Sequence, residues 1–438
     1  MKKTVSALVI VCFCAVNTNA QFLQGLGNRL KNKVSEKITN KAEQSIGSAL
    51  DKIEKKSTDP VPKGETDNTK NTGQINNNPK DKEQIQSYSK YDFIPGEQII
   101  YLEDFAKSSI GEMPAGWNSN GKGEIVTVEG YPGRYLRMFP AAKYLSGNTG
   151  SFGDSFSIEF DLIMTGTPPS GTRYFPELVV GMFASERKMT TDNSFLSPRP
   201  QLANLTEILL KPNLDGGSKA VLTTKGAMGI KYFESGKIPV KEYSESFSKI
   251  AHYSIQVDKQ RIRFWVDGNK YFDLQQGIKA TPILNQFFIN PLEYWCYNEE
   301  NYGLYLSSLK IAKGIPKPDL QLMDEKGFTT NAIQFNVASD EIKPQSMGMI
   351  KIISSTLKDN PTMRIKIIGH TDNDGSASEN LSLSKRRAEA VKILLVNNFG
   401  IDESRLTIDG KGATLPVHEN QSAAGKAMNR RVEFVLIK

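Results

Sequence analysis

Between residues 93 and 315 of this 438-residue chain, apolar side chains fall on every second position of short runs; after residue 325 their spacing lengthens to three or four. A period of two buries one face of a β-strand, and a period near 3.6 buries one stripe of a helix. The two periods therefore predict an all-β sandwich at 93–315 followed by an α+β unit at 325–438. Ser157-Ile158-Glu159-Phe160-Asp161-Leu162 alternates cleanly. Tyr253–Val257, Arg261–Val266 and Tyr271–Leu274 read as a meander turning at Asp258-Lys259-Gln260 and at Asp267-Gly268-Asn269, the second a strong hairpin signal. Tyr302–Ile311 is the last strand of this part.

Past a hinge at 316–325, marked by Pro316 and Pro318, the expected order is of a βαβαβ type. Ile333–Val337 reads as a strand and Pro344–Lys358 as a helix with proline in its first turn. Arg364–Ile368 is a buried strand, and Leu381–Phe399 a helix closed by Gly400. Arg405–Asp409 and Arg431–Ile437 are strands.

The first residues set the compartment. Lys2 and Lys3, an apolar stretch from Val5 to Val16 and Ala20 before Gln21 read as a secretory signal peptide at 1–20, too short to span a bilayer. Cys12 and Cys14 fall inside it, leaving Cys296 alone, so no intramolecular disulfide supports the mature fold. Residues 21–56 carry Leu23, Leu26, Leu30, Val34, Ile38 and Ile46 at helical spacing, opposite a lysine-rich face. Such an amphipathic helix packs on a protein surface, on a second copy, or on a membrane surface. Residues 57–92, rich in Asn, Lys, Asp and Thr, read as a disordered linker. The formal net charge of +7 is spread along the chain, with no basic block of the kind that binds nucleic acid.

One pattern carries chemistry. Ile367-Ile368-Gly369-His370-Thr371-Asp372 ends a strand in an acid, and Arg387 lies fifteen positions later inside a helix. An acid and an arginine so placed can hold a ligand that offers an ammonium and a carboxylate. With Asn373-Asp374-Gly375, Asn380, Leu383–Ala388, Gly410-Lys411-Gly412 and Asn429-Arg430-Arg431-Val432-Glu433, the pattern resembles the OmpA family over residues 325–438. The resemblance implies a periplasmic, non-catalytic envelope protein of a Gram-negative cell, associated with peptidoglycan and placed at the outer membrane. It implies that Asp372 accepts from the ammonium of meso-diaminopimelate in the stem peptide and that Arg387 pairs with its carboxylate. Thr371, Asn373 and Asn380 are implied to shape the loop, with Asn380 bracing it. The family's polar residue after the first strand corresponds to Ala338, so a contact is lost there or is supplied by Ser339 or the backbone. Glu103-Asp104-Phe105, Pro114-Ala115-Gly116-Trp117 and Gly303-Leu304-Tyr305-Leu306-Ser307 resemble concanavalin-like (laminin G-like) jelly-roll sandwiches.

Other chemistries fit less well. No cofactor or metal is expected: His252, His370 and His418 show no ligand spacing, and Asp372-Asn373-Asp374 has Ala377 where a calcium loop needs glycine. Glu159 and Asp161 share a strand face, as in sandwich glycosidases, but Ile163 stands where the second catalytic carboxylate belongs. A glycan hydrolase localised by its C-terminal unit is the alternative to a binding protein. Trp295 and Tyr297, with Trp117, are candidates for stacking on a sugar; a protein partner is the other option for the sandwich.

Overall fold

The computed structural model describes residues 92–437 apart from 148–149, 167–175, 187, 198–199, 213–216, 241–248, 294–296, 298 and 316–326. The signal peptide at 1–20, the helix at 21–56 and all of the linker at 57–92 except Asp92 lie outside the described residues.

The β-rich part runs β1 (Gln98–Glu103), β2 (Asn118–Ser119), β3 (Gly123–Val128), β4 (Tyr131–Met138), β5 (Tyr144–Leu145), β6 (Ser155–Gly166), β7 (Leu178–Phe183) and β8 (Asn204–Lys211). It continues with β9 (Lys219–Gly226), β10 (Lys231–Glu234), β11 (Ile238–Pro239), β12 (Ile250–Asp258), β13 (Arg261–Val266), β14 (Asn269–Leu274), β15 (Gln286–Pro291) and β16 (Tyr302–Lys313). One eight-stranded sheet has the order β14-β13-β12-β6-β16-β4-β3, with β1 also on β16; the other has β10-β9-β8-β7-β15-β5-β2, with β11 on β9. The predicted alternation is what joins them. Phe156, Ile158, Phe160, Leu162 and Met164 of β6 all enter one core with Val180 and Met182 of β7 and Phe287 of β15. The Phe160 ring stacks on Tyr253 at 5.0 Å and meets Phe287 of the opposite sheet at 5.5 Å. The β13–β14 hairpin turns through Asp267 (φ 47°) and Gly268 (φ 79°), the left-handed pair that matches strand twist.

The other face of β6, β12 and β13 is buried too. Ser157, Ser254 and Trp265 are fully buried, and Glu159 is 2 % exposed. Residues 93–96 and the C-terminal region cover them: Gly96 N donates to Ser157 Oγ at 2.8 Å, Trp265 lies edge-on to Phe93 at 5.2 Å, and Met347 packs against that pair.

That region consists of β17 (Phe328–Thr330), α1 (Met347–Asp359), β18 (Ile365–His370), α2 (Ala377–Phe399), β19 (Leu406–Gly412), α3 (Ala423–Asn429) and β20 (Val432–Leu436). Its four-stranded sheet has the order β17-β20-β18-β19, with β18 and β19 parallel. Two expectations need correction. Residues 333–337 are not a strand; only Phe335 bridges Ile342, and the strand lies earlier, at β17. The chain turns instead, with Ser339 N donating to Asn336 O at 3.1 Å and Ala338 at φ 52°. The alternation of Ile333, Phe335 and Val337 imitates a strand, yet Val337 is 95 % exposed. A helix, α3, also interrupts the chain before β20.

The glycines of the C-terminal pattern are packing residues. A Cβ on Gly369 of β18 would lie 2.1 Å from the Ser384 carbonyl oxygen, and one on Gly410 of β19 would lie 2.6 Å from Lys385 N. Both strands need hydrogen at these positions so that α2 can approach the sheet. Gly369→Ala should cost about 1–3 kcal/mol in urea unfolding of the full chain, because backbone must move. An unchanged midpoint would show that α2 is not held this close.

Candidate functional site

Helix α2 builds half of the site. Its buried positions Asn380, Ser384, Arg387, Ala388, Val391 and Leu395 form one stripe. The C-terminal part of that stripe enters the core of the C-terminal region; the N-terminal part carries polar residues that reach the end of β18. Ser376 caps the helix in a capping box with Glu379, so Asp372, five residues earlier in the chain than Ala377, is not its cap.

Asp372 is 8 % exposed just beyond β18. Its Oδ1 accepts from Asp374 N at 3.2 Å, and its Oδ2 pairs with Arg430 Nη1 at 2.5 Å. Asn380 Nδ2 donates to the Asp374 carbonyl at 2.9 Å, and Lys426 Nζ sits 2.6 Å from Asp374 Oδ1. Gly375 turns the loop at φ 88°. Asn380 thereby ties the loop to α2. Thr371 is 4 % exposed, and its hydroxyl has no hydrogen-bond partner among the described residues. Asn373 is exposed.

Arg387 is 8 % exposed and held from three directions. Nε donates to the Ser339 carbonyl at 2.9 Å, Nη2 to the Asn336 carbonyl at 3.4 Å, and the guanidinium lies 4.9 Å from the centre of the Phe335 ring. The turn at 336–339 thus aims two backbone carbonyls at the arginine. Burial, then the like charge of Arg430, pulls the Arg387 guanidinium below its ordinary value, while Asp372 acts in the opposite sense. It remains charged near neutral pH.

The sequence pattern includes Arg430 but gives it no role; in the structure it is the direct partner of Asp372, at the C-terminal end of α3. Lys426 of the same helix was missed as well. The available signal was Ser422, which caps α3 by accepting from Gly425 N at 3.0 Å, but a helix of 7 residues shows too little periodicity to be read. The site is then two acids, Asp372 and Asp374, facing Arg387, Arg430 and Lys426. Such a site can exchange its internal ion pair for a ligand that carries both charges.

The sugar-stacking candidates fare differently. Tyr297 is 7 % exposed and packs on Tyr302 at 5.7 Å in the sandwich core, so its ring offers no platform. Trp117 is 8 % exposed against Phe105. Trp295 lies outside the described residues. Glu159 and Asp161 do share a face, with Lys310 Nζ 2.6 Å from Glu159 Oε1 and His252 Nδ1 2.7 Å from Asp161 Oδ1.

The family model described as "OmpA family" matches residues 334–430. The chain is 38 % identical over 101 residues to an outer membrane porin F of Pseudomonas aeruginosa, a match covering 23 % of this chain and 29 % of the porin, so the chain spans under a third of that relative. A peptidoglycan-associated lipoprotein structure from Burkholderia pseudomallei aligns at 28 % identity and TM-score 0.24, over 27 % of this chain and 99 % of that one. A putative lipoprotein YfiB of Escherichia coli is 34 % identical over 145 residues, covering 31 % of this chain and 91 % of the lipoprotein. With nearly a whole relative contained in it at that identity, the chain belongs to the OmpA family.

Proposed function

We propose that this chain is a non-catalytic protein of the cell envelope that binds peptidoglycan through the diaminopimelate of the stem peptide. The observation that carries this reading is the preset Arg387. Two backbone carbonyls and an aromatic ring fix its plane beside Asp372. A planar guanidinium held this way favours a carboxylate, and a buried carboxylate beside it favours an ammonium. The ligand ammonium would take the place that Arg430 holds on Asp372. Thr371 and Asn373 border the same loop, and Asn380 keeps it in shape. Cell-envelope residence agrees with the outer-membrane proteins and lipoproteins to which the chain is similar.

For the β-rich region we propose a concanavalin-like sandwich that serves binding rather than hydrolysis. The acid that a hydrolase would need, Glu159, is buried and tied to Lys310. Burial alone would raise its carboxyl, but Lys310 and His252 outweigh burial and hold it at about 2, where it has no proton to donate near neutral pH.

The test is selectivity between wall types. The full chain should co-sediment with diaminopimelate-type peptidoglycan and bind lysine-type peptidoglycan roughly tenfold or more weakly, because lysine lacks the carboxylate that pairs with Arg387. Equal binding to both would overturn the assignment.

A further inference from the structure

Helix α3 delivers Lys426 and Arg430 to the Asp372 loop, and its backbone is fixed. Asn429, fully buried at its end, accepts from Val417 N and His418 N at 2.8 and 3.0 Å and donates to the His418 carbonyl at 2.9 Å. The helix packs on β1, and just before it Lys107 Nζ donates to the Gln421 carbonyl at 3.0 Å. What is left to rearrange is the two cationic side chains, 26 % exposed for Lys426 and 44 % for Arg430.

The charges that meet at this loop do not balance. Asp372 and Asp374 face Arg387, Arg430 and Lys426. Arg386 beside them is matched by Asp340. Glu379 and Glu419 accept from Ser376 and Ser422 at the starts of α2 and α3, where the positive helix ends answer their charge. The free end of diaminopimelate brings one ammonium and one carboxylate, so it leaves the positive excess in place. Once its ammonium takes Asp372, the Arg430 guanidinium has lost its carboxylate and stands beside another cation, which like-charge repulsion disfavours. A further carboxylate on the ligand would restore the balance.

We infer that Arg430, with Lys426 beside it, binds a second carboxylate of the same stem peptide, so that the site recognises one ammonium and two carboxylates together. This rests on the reading above, in which Asp372 and Arg387 hold diaminopimelate. In the ligated state Arg430 exchanges Asp372 for the second carboxylate. Arg387, Arg430, Lys426 and the ammonium then face Asp372, Asp374 and the two carboxylates of the ligand, charge for charge. Two groups of a stem peptide can supply the second carboxylate: the α-carboxylate of the D-glutamate that precedes diaminopimelate, or the C-terminal carboxylate.

The test is calorimetric titration of the full chain with the synthetic peptide L-Ala-γ-D-Glu-meso-diaminopimelate-D-Ala. Beside it run two versions, one with the D-glutamate α-carboxylate and one with the C-terminal carboxylate converted to an amide. One amide should bind roughly three- to tenfold more weakly than the parent, and which one it is identifies the source. Arg430→Gln should bind the parent and that amide alike. It should also bind the amide more tightly than the wild type does, because no guanidinium then contests Asp372. Lys426→Gln, which leaves Arg430 in place, should keep part of the discrimination. Equal binding of all three peptides by the wild type, or discrimination undiminished in Arg430→Gln, would overturn the second contact and leave the diaminopimelate reading standing. No binding of any of the three would overturn both.

Discussion

Asp372→Ala and Arg387→Ala should each weaken co-sedimentation of the full chain with diaminopimelate-type peptidoglycan by roughly ten- to hundredfold. Each removes one charge-assisted contact, and such contacts contribute about 1.5–3 kcal/mol. The loss should be most visible at low protein density, where the polymer's repeated stem peptides add least avidity. The two variants differ in what else they disturb. Asp372→Ala frees Arg430, which is already 44 % exposed and can be solvated, so folding should be untouched. Arg387→Ala also removes the donor to the Ser339 and Asn336 carbonyls, which can loosen the turn at 336–339. Arg387→Lys separates these effects. It keeps the charge but not the planar fork over Phe335, and should recover little of the lost binding. Full binding by Arg387→Lys would show that a point charge suffices and that the preset plane has no role. Wild-type binding by both alanine variants, with unchanged circular dichroism, would remove the Asp372 loop from the function altogether.

The halves of this site were unequally legible. Asp372, Asn380 and Arg387 stand out because strand and helix periods fix where they must fall: the acid just past a buried strand, and the two helical residues seven apart on one stripe. Arg430 was visible as a residue but not as a partner, since the short α3 that delivers it has no clear period. The loop at 336–339 was misread because side-chain alternation does not report a turn, and the contacts to Arg387 come from carbonyls that every residue has. In the sandwich, the inward face of β6 could be read from Ile158, Phe160 and Leu162. The outward face could not. Ser157 and Glu159 look like a solvated face and are buried only because another part of the chain covers them. The pairing of Phe93 with Trp265 across 172 positions of sequence has no local signal at all. Tyr297 failed for the same reason: an aromatic beside a glycine-poor loop reads alike whether it points to solvent or into a core.

That covered face predicts the second large effect. Lys310→Met should destabilise the protein by about 3–5 kcal/mol in urea unfolding, because it leaves the Glu159 carboxylate buried with one partner fewer. Glu159 and Lys310 side chains are 3 % and 12 % exposed and lie 2.6 Å apart, so solvent cannot replace the missing charge. The double variant Glu159→Gln/Lys310→Met should regain most of the loss, since no unpaired charge then remains. A double variant no better than Lys310→Met would show that packing of the lysine stem, rather than charge, supplies the stability. His252 adds a pH dependence to the same cluster. Burial opposes its charge, but Asp161 and Glu159 overcome burial and lift it from 6.5 to about 9. Its contribution is therefore complete below pH 6.5 and is lost as pH rises through 9, whereas that of Glu159, lowered from 4.5 to about 2, is complete above 4.5 and is lost as pH falls through 2. The cluster is fully stabilising between these limits, and the alkaline limb should amount to about 3 kcal/mol at most. His252→Asn should flatten the decline of the urea midpoint between pH 6.5 and 9; a decline parallel to that of the wild type would assign the alkaline loss to other groups.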